Sequence, residues 1–194
     1  MIFRQLYDAT SSTYTYLLAD ESSREALLID PVFEQFHRDL AMLRELDLKL
    51  MLVADTHAHA DHITAAWLLQ QKTGCKIAIS ADAGAKNLDI ALHHGDRFGV
   101  QGVTLEARST PGHTNGCMSF VLEDYSMVFT GDALLIRGCG RSDFQQGNAS
   151  RLFHSITEQL FSLPDDCAVF PAHDYSGRTQ STIGEEKKHN ARAG

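Results

Sequence analysis

The chain has no Cys-x-x-Cys pair, no apolar run of membrane-spanning length, no excess of basic residues and no internal repeat. Each absence narrows what the molecule can be. The four cysteines (Cys75, Cys117, Cys139, Cys167) lack the spacing of a thiolate zinc site or a redox pair, so free thiols in a reducing compartment are expected. Without a long apolar run, no membrane span is expected. The first residues, Met-Ile-Phe-Arg-Gln-Leu-Tyr-Asp, carry neither a basic leader nor an apolar core. They give no secretory signal, and the cytoplasm is the expected compartment, or the mitochondrial matrix for a processed eukaryotic form. A net charge of -8 argues against nucleic acid or an anionic membrane as partner, although it leaves room for a local basic pocket. With no repeat, low-complexity tract or linker, the 194 residues read as one domain spanning 1–194.

What the chain does have is a dense cluster of metal-binding side chains. Thr56-His-Ala-His-Ala-Asp-His62 packs three imidazoles and a carboxylate into seven residues, directly after the apolar run Leu50–Ala54. Imidazole with carboxylate suits zinc, iron or manganese rather than calcium. Three further groups recur beside strand ends or tight turns: His113 in Thr110-Pro-Gly-His-Thr-Asn-Gly116, Asp132 in Phe129-Thr-Gly-Asp-Ala133, and His173 in Phe170-Pro-Ala-His-Asp-Tyr175. Together they predict a metal site assembled from loops along one rim of a sheet.

The remaining pattern supports such a scaffold. Thr13–Leu18, Ala26–Ile29, Leu50–Ala54, Lys76–Ser80, Gly99–Ala107, Cys117–Leu122, Ser126–Phe129 and Cys167–Phe170 read as strands. Phe33–Leu46, Ile63–Gln71 and Ser150–Phe161, the last capped by Ser150, read as helices. That order suits two sheets packed face to face with helices outside. Asp61 has a second reading as a helix cap, and Asp174 reads as an acceptor that orients His173. His93 and His94 read as rim residues, and His37, His154 and His189 as solvated. Trp67, Phe144 and Phe153 read as core. The Gly-bearing stretch Arg137–Gly147 is a candidate ligand loop, in which Arg141 either clamps a substrate carboxylate or pairs with Asp143.

By residue type alone the donors predict two ions, with His57, His59 and His113 on one, Asp61, His62 and His173 on the other, and Asp132 between them. That is a hydrolase arrangement in which metals activate water.

In order and spacing, T-H-x-H-x-D-H, P-G-H, T-G-D and the late His resemble the metallo-β-lactamase superfamily, over essentially the whole chain. The resemblance implies an αββα sandwich (α/β, α+β), two mixed sheets with helices on the outer faces. Within it, Thr130-Gly-Asp-Ala-Leu-Leu-Ile-Arg-Gly-Cys-Gly-Arg-Ser-Asp-Phe-Gln-Gln-Gly147 and Pro171-Ala-His-Asp-Tyr175 are similar to the persulfide dioxygenases. Glyoxalase II enzymes share T-G-D and G-C-G but not R-x-D-F-Q-Q-G. The closer resemblance implies one Fe(II) per chain on His57, His113 and Asp132, with His59, Asp61, His62 and His173 around them. Glutathione persulfide and O2 would be the substrates, and sulfite and glutathione the products. Arg141, Tyr175 and Arg178 are then the expected grips on substrate, and Cys139 a near-site thiol. Two Zn(II) in a glyoxalase II-type thioesterase is the alternative, and a non-catalytic sulfur- or metal-binding half of a sulfurtransferase fusion a third. A homodimer and a sulfurtransferase are the expected protein partners. Asn115 stands where the family pattern P-G-H-T-P-G has proline. The sequence also ends short of the usual family length, which places part of the substrate wall and the oligomer interface outside these residues.

Overall fold

A computed structural model describes residues 1–194. Strands β1 (Ile2–Asp8), β2 (Thr13–Ala19), β3 (Glu25–Ile29), β4 (Lys49–Ala54), β5 (Lys76–Ser80) and β6 (Ile90–Leu92) form one sheet in that order. The first three pair antiparallel and the last three join parallel. The second sheet runs β12 (Ser181–Thr182), β11 (Ala168–Pro171), β10 (Met127–Gly131), β9 (Met118–Leu122), β8 (Val103–Ser109), β7 (Arg97–Val100). Within it only β10 and β11 are parallel.

Period-two alternation sorts the side chains into three layers. Tyr16, Leu18, Leu27, Ile29, Leu52, Phe120, Phe129 and Phe170 meet between the sheets. The rings of Tyr16 and Phe129 lie 5.0 Å apart, centroid to centroid. Their strand neighbours Leu17, Leu28 and Val53 face outward, under helices α1 (Phe36–Glu45) and α2 (Ala66–Thr73). On the other side Val121, Val128 and Val169 are covered by α3 (Ala149–His154), the π-helical turn Ser155–Leu160 and α4 (Ile183–His189). The result is the αββα sandwich of two mixed sheets. Because both faces of each sheet are covered, β2 is buried at every position.

Several expectations need correction. Gly99–Ala107 is not one strand but the hairpin β7–β8, turning at Gln101-Gly102 with Gly102 at φ +75°. Helix α2 starts at Ala66 rather than Ile63, because Thr64 bridges Val32 and the Ile63 carbonyl accepts from the Phe33 N–H. Asn148, not Ser150, caps α3. Trp67, Phe144 and Phe153 are exposed rather than core, lying on helix or loop faces that nothing covers. All four cysteines are free.

Candidate metal centre

Five strand ends open at one rim of the sandwich, and each delivers part of the site. β3 ends at Asp30, β4 leads into Asp55–His62, β8 into the Thr110–Gly116 turn, β10 into Asp132 and β11 into His173. His57, His113 and Asp132 each bring one ligand atom to within 4.8 Å of the others. The His113 Nε2 stands 3.4 Å from Asp132 Oδ2. That spacing suits two donors at about 2.1 Å from one ion, which subtend an angle of roughly 110°.

The tautomers of both imidazoles are fixed from behind. The Thr56 hydroxyl donates to Asp30 Oδ2 (2.8 Å), so its oxygen is left to accept the His57 Nδ1–H (2.9 Å). The His113 Nδ1–H donates to the Arg141 carbonyl (2.7 Å). Each ring therefore turns its Nε2 lone pair toward the centre. Burial, with His59 and His113 nearby, holds the His57 pKa well below its ordinary value and keeps the ring neutral. Asp132 Oδ1 is buried with no hydrogen-bond partner. An orphaned carboxylate oxygen beside two converging lone pairs is a donor set that a cation completes. The residues fit a single divalent ion.

Glycine makes the close approach possible. A Cβ on Gly140 would lie 2.3 Å from the Asp132 carbonyl oxygen and 3.0 Å from His113 Nδ1. Gly131, at φ +54°, would put one 2.7 Å from the Thr56 hydroxyl.

His59, Asp61, His62 and His173 gather beside this set, and His59 Nδ1 and His62 Nε2 are also buried without a hydrogen-bond partner. The His59 Nε2–H donates to Asp30 Oδ1 at 3.1 Å. Burial opposes charge on that ring, but Asp30 and Asp55 prevail and raise its pKa to about 9. Asp61 accepts from His62 Nδ1 at 2.9 Å and faces His173 Nε2 at 3.5 Å. Burial works against the Asp61 carboxylate, yet these imidazoles hold its pKa far below the usual range. It caps no helix. His59, Asp61 and His173 also lie within 4.8 Å of one another, as do Asp30, Asp55 and His59. Asp174 does not orient His173: its Oδ2 accepts from the Ser176 and Arg178 backbone N–H groups. The His173 Nδ1–H instead donates to the Ser12 carbonyl at 3.1 Å.

A cavity of about 480 Å³ opens over Asp132 and His113, walled by Cys139, Arg141, Phe144 and Tyr175. The Arg141 fork holds Asp143 through Nε (2.9 Å) and Nη2 (3.0 Å) and lies over the Phe144 ring. The pairing with Asp143 is thus present, and three of the five Arg141 N–H donors remain at the cavity wall. Tyr175 stacks on His173 at 6.0 Å between ring centroids. Arg178 is not part of this wall. Burial raises the Cys139 thiol above its ordinary value and keeps it protonated. Asn115, the departure from the family pattern, donates to Gln146 Oε1 (2.7 Å) and accepts from Arg151 (3.0 Å). Proline in its place could make neither bond.

Residue-by-residue reading of the sequence missed Asp30, the hub behind His57 and His59. The only sign of it is an acidic residue before proline at the end of a buried run. Its φ of +50° is unusual for that place.

Comparison with known proteins agrees with this geometry. A model of the metallo-beta-lactamase superfamily matches residues 9–173. The mitochondrial persulfide dioxygenase of Mus musculus is 52% identical over 193 residues, covering 99% of this chain and 76% of the relative. The crystal structure of ETHE1 from Myxococcus xanthus superposes with a TM-score of 0.97 at 53% identity, covering 100% of this chain and 84% of that one. The chain belongs to the persulfide dioxygenase family of the metallo-β-lactamase superfamily. Beyond that family, hydroxyacylglutathione hydrolase GloC of Haemophilus influenzae is 32% identical, covering 88% of each chain. At this rim the fold thus brings together His57, His113 and Asp132, with His59, Asp61, His62 and His173 beside them.

Proposed function

We infer that the chain oxidises glutathione persulfide, with O2 and water, to sulfite and glutathione at one non-haem Fe(II) held by His57, His113 and Asp132. The observation that supports this reading is the convergence of His57, His113 and Asp132 within 4.8 Å of one another around the unpartnered Asp132 Oδ1. Such a set would hold an iron ion through His57, His113 and Asp132 and leave it accessible to two reactants. When bound, ferrous iron supplies the one-electron chemistry that lets dioxygen react with a closed-shell sulfur anion.

The chain's own residues do the rest. Arg141 and Tyr175 seat the glutathione moiety over the site, and Arg141 also props His113 through its carbonyl, so substrate grip and ligand aim share one residue. His173 Nε2 stands 3.5 Å from Asp61 Oδ2 and 3.7 Å from Asp132 Oδ1, so the Asp61–His173 pair is placed to order water and protons at the cavity wall. Positioning persulfide and dioxygen together at this site would supply up to roughly 7–11 kcal/mol of the barrier. The four electrons lost by the sulfane sulfur match the four that dioxygen takes up. On this reading residues 1–194 act as one domain. A second copy and a persulfide-supplying sulfurtransferase are its protein partners, in cytoplasm or mitochondrial matrix.

Purified protein given glutathione persulfide should consume one O2 per sulfite and carry about one iron per chain. Hydrolysis of S-lactoylglutathione without oxygen uptake, with about two zincs, would overturn the reading in favour of the thioesterase that the His59–Asp61–His173 set allows. A folded His113→Ala variant should lose turnover, an outcome that a mere binding module would not show.

A further inference from the structure

Two cavities of equal size, about 480 Å³ each, flank the loop His57–His62 and share no lining residue. One is the polar pocket over Asp132. The other has its apolar wall in Ile63, Ala66 and Trp67, in Ile77 and Ile79 of β5 and in Leu88, with Asp55, His62, Lys86 and Asn87 along the rest of its lining. His57 and His59 also line it, so it touches a candidate ligand.

The partition is thin by sequence. The variable positions of the histidine motif are both alanine: Ala58 lines the apolar cavity and Ala60 the polar one. Between two imidazoles whose rings sit 4.1 Å apart, a one-carbon side chain leaves the least bulk that any L-residue with a Cβ can.

The proposal rests on the dioxygenase reading, which requires two substrates of opposite character at one centre. Glutathione persulfide is large, charged and polar, and suits the pocket with Arg141. A ligand of that size fills a pocket of a few hundred cubic ångströms and closes it behind itself. Dioxygen is small and uncharged, and collects where apolar walls hold water poorly, as xenon does. We propose that the apolar cavity beneath the histidine loop is the holding site and route for dioxygen, separate from the route of the persulfide.

Xenon and plugging variants test this. Xenon-pressurised crystals of the iron-loaded protein should show the gas between Ile77, Ile79 and Leu88. Xenon should also inhibit the unmodified enzyme competitively against dioxygen but not against persulfide. Leu88→Trp, on the partly exposed lip, and Ile79→Phe, within the wall, should abolish xenon binding there. Each should raise KM for dioxygen about tenfold, while KM for persulfide and iron content stay as in the parent. Xenon absent from the cavity would overturn the proposal, as would an unchanged KM for dioxygen in either folded variant. An unmodified enzyme that takes up no oxygen with persulfide would instead overturn the dioxygenase reading, and the route with it.

Discussion

One buried carboxylate governs the aim of two imidazoles. Asp30 accepts the Thr56 N–H (2.7 Å) and hydroxyl, which fixes His57 toward the centre, and it also draws the His59 Nε2 away. Asp30→Asn keeps the shape but presents an amide donor to groups that are themselves donors, leaving at least one buried polar group unpaired. The expected cost is about 1–3 kcal/mol of stability, read from urea midpoints. Metal affinity should fall roughly 10–100-fold, read by titrating metal-free protein against a chromophoric chelator. The candidate cluster was legible because His57, His59, Asp61 and His62 crowd one short motif. Asp30 was not, because its partners lie 26 and 29 residues away and meet it only in the folded chain.

At the scale of elements, Asn115 ties three of them together: the turn between β8 and β9, helix α3 through Arg151, and the loop after β10 through Gln146. Gln145 and Gln146 both hold left-handed φ angles, +46° and +63°, which non-glycine residues adopt at a cost unless something retains them. Asn115→Pro removes both bonds, each worth about 0.5–1.5 kcal/mol. The loop carrying Arg141 and Phe144 should loosen, raising KM for glutathione persulfide about three- to tenfold with kcat nearly unchanged, as steady-state kinetics would show. Apolar runs made most strands readable from sequence. The β7–β8 turn was hidden because Val100 and Val103 on either side of Gly102 continue the strand-like pattern. Helix α4 was missed because its Gly-Glu-Glu-Lys-Lys-His stretch carries little apolar pattern beyond Ile183. Trp67 and Phe144 misled because hydrophobic character does not by itself say which face is covered.

Across the whole molecule, stability should depend on a group far from the centre. Asp39 on α1 is buried, and desolvation raises its pKa to about 6 despite Arg38 beside it. A carboxyl raised in the folded state favours the fold below its unfolded pKa, and that contribution is lost as pH rises through about 6. The displacement of about two pH units corresponds to roughly 3 kcal/mol. Asp39→Asn should therefore raise the urea midpoint at pH 7.5 while leaving that at pH 4 nearly unchanged. The donor set has a mechanical corollary of its own. His57 hangs from one sheet, while His113 and Asp132 hang from the other, so an ion caught among them rivets the two halves of the sandwich. Stripping it with a chelator should lower the melting temperature by about 5–10 °C, since ligand at a hundredfold over its Kd adds about 2.7 kcal/mol. Loss of metal would then cost this protein its cohesion as well as its chemistry.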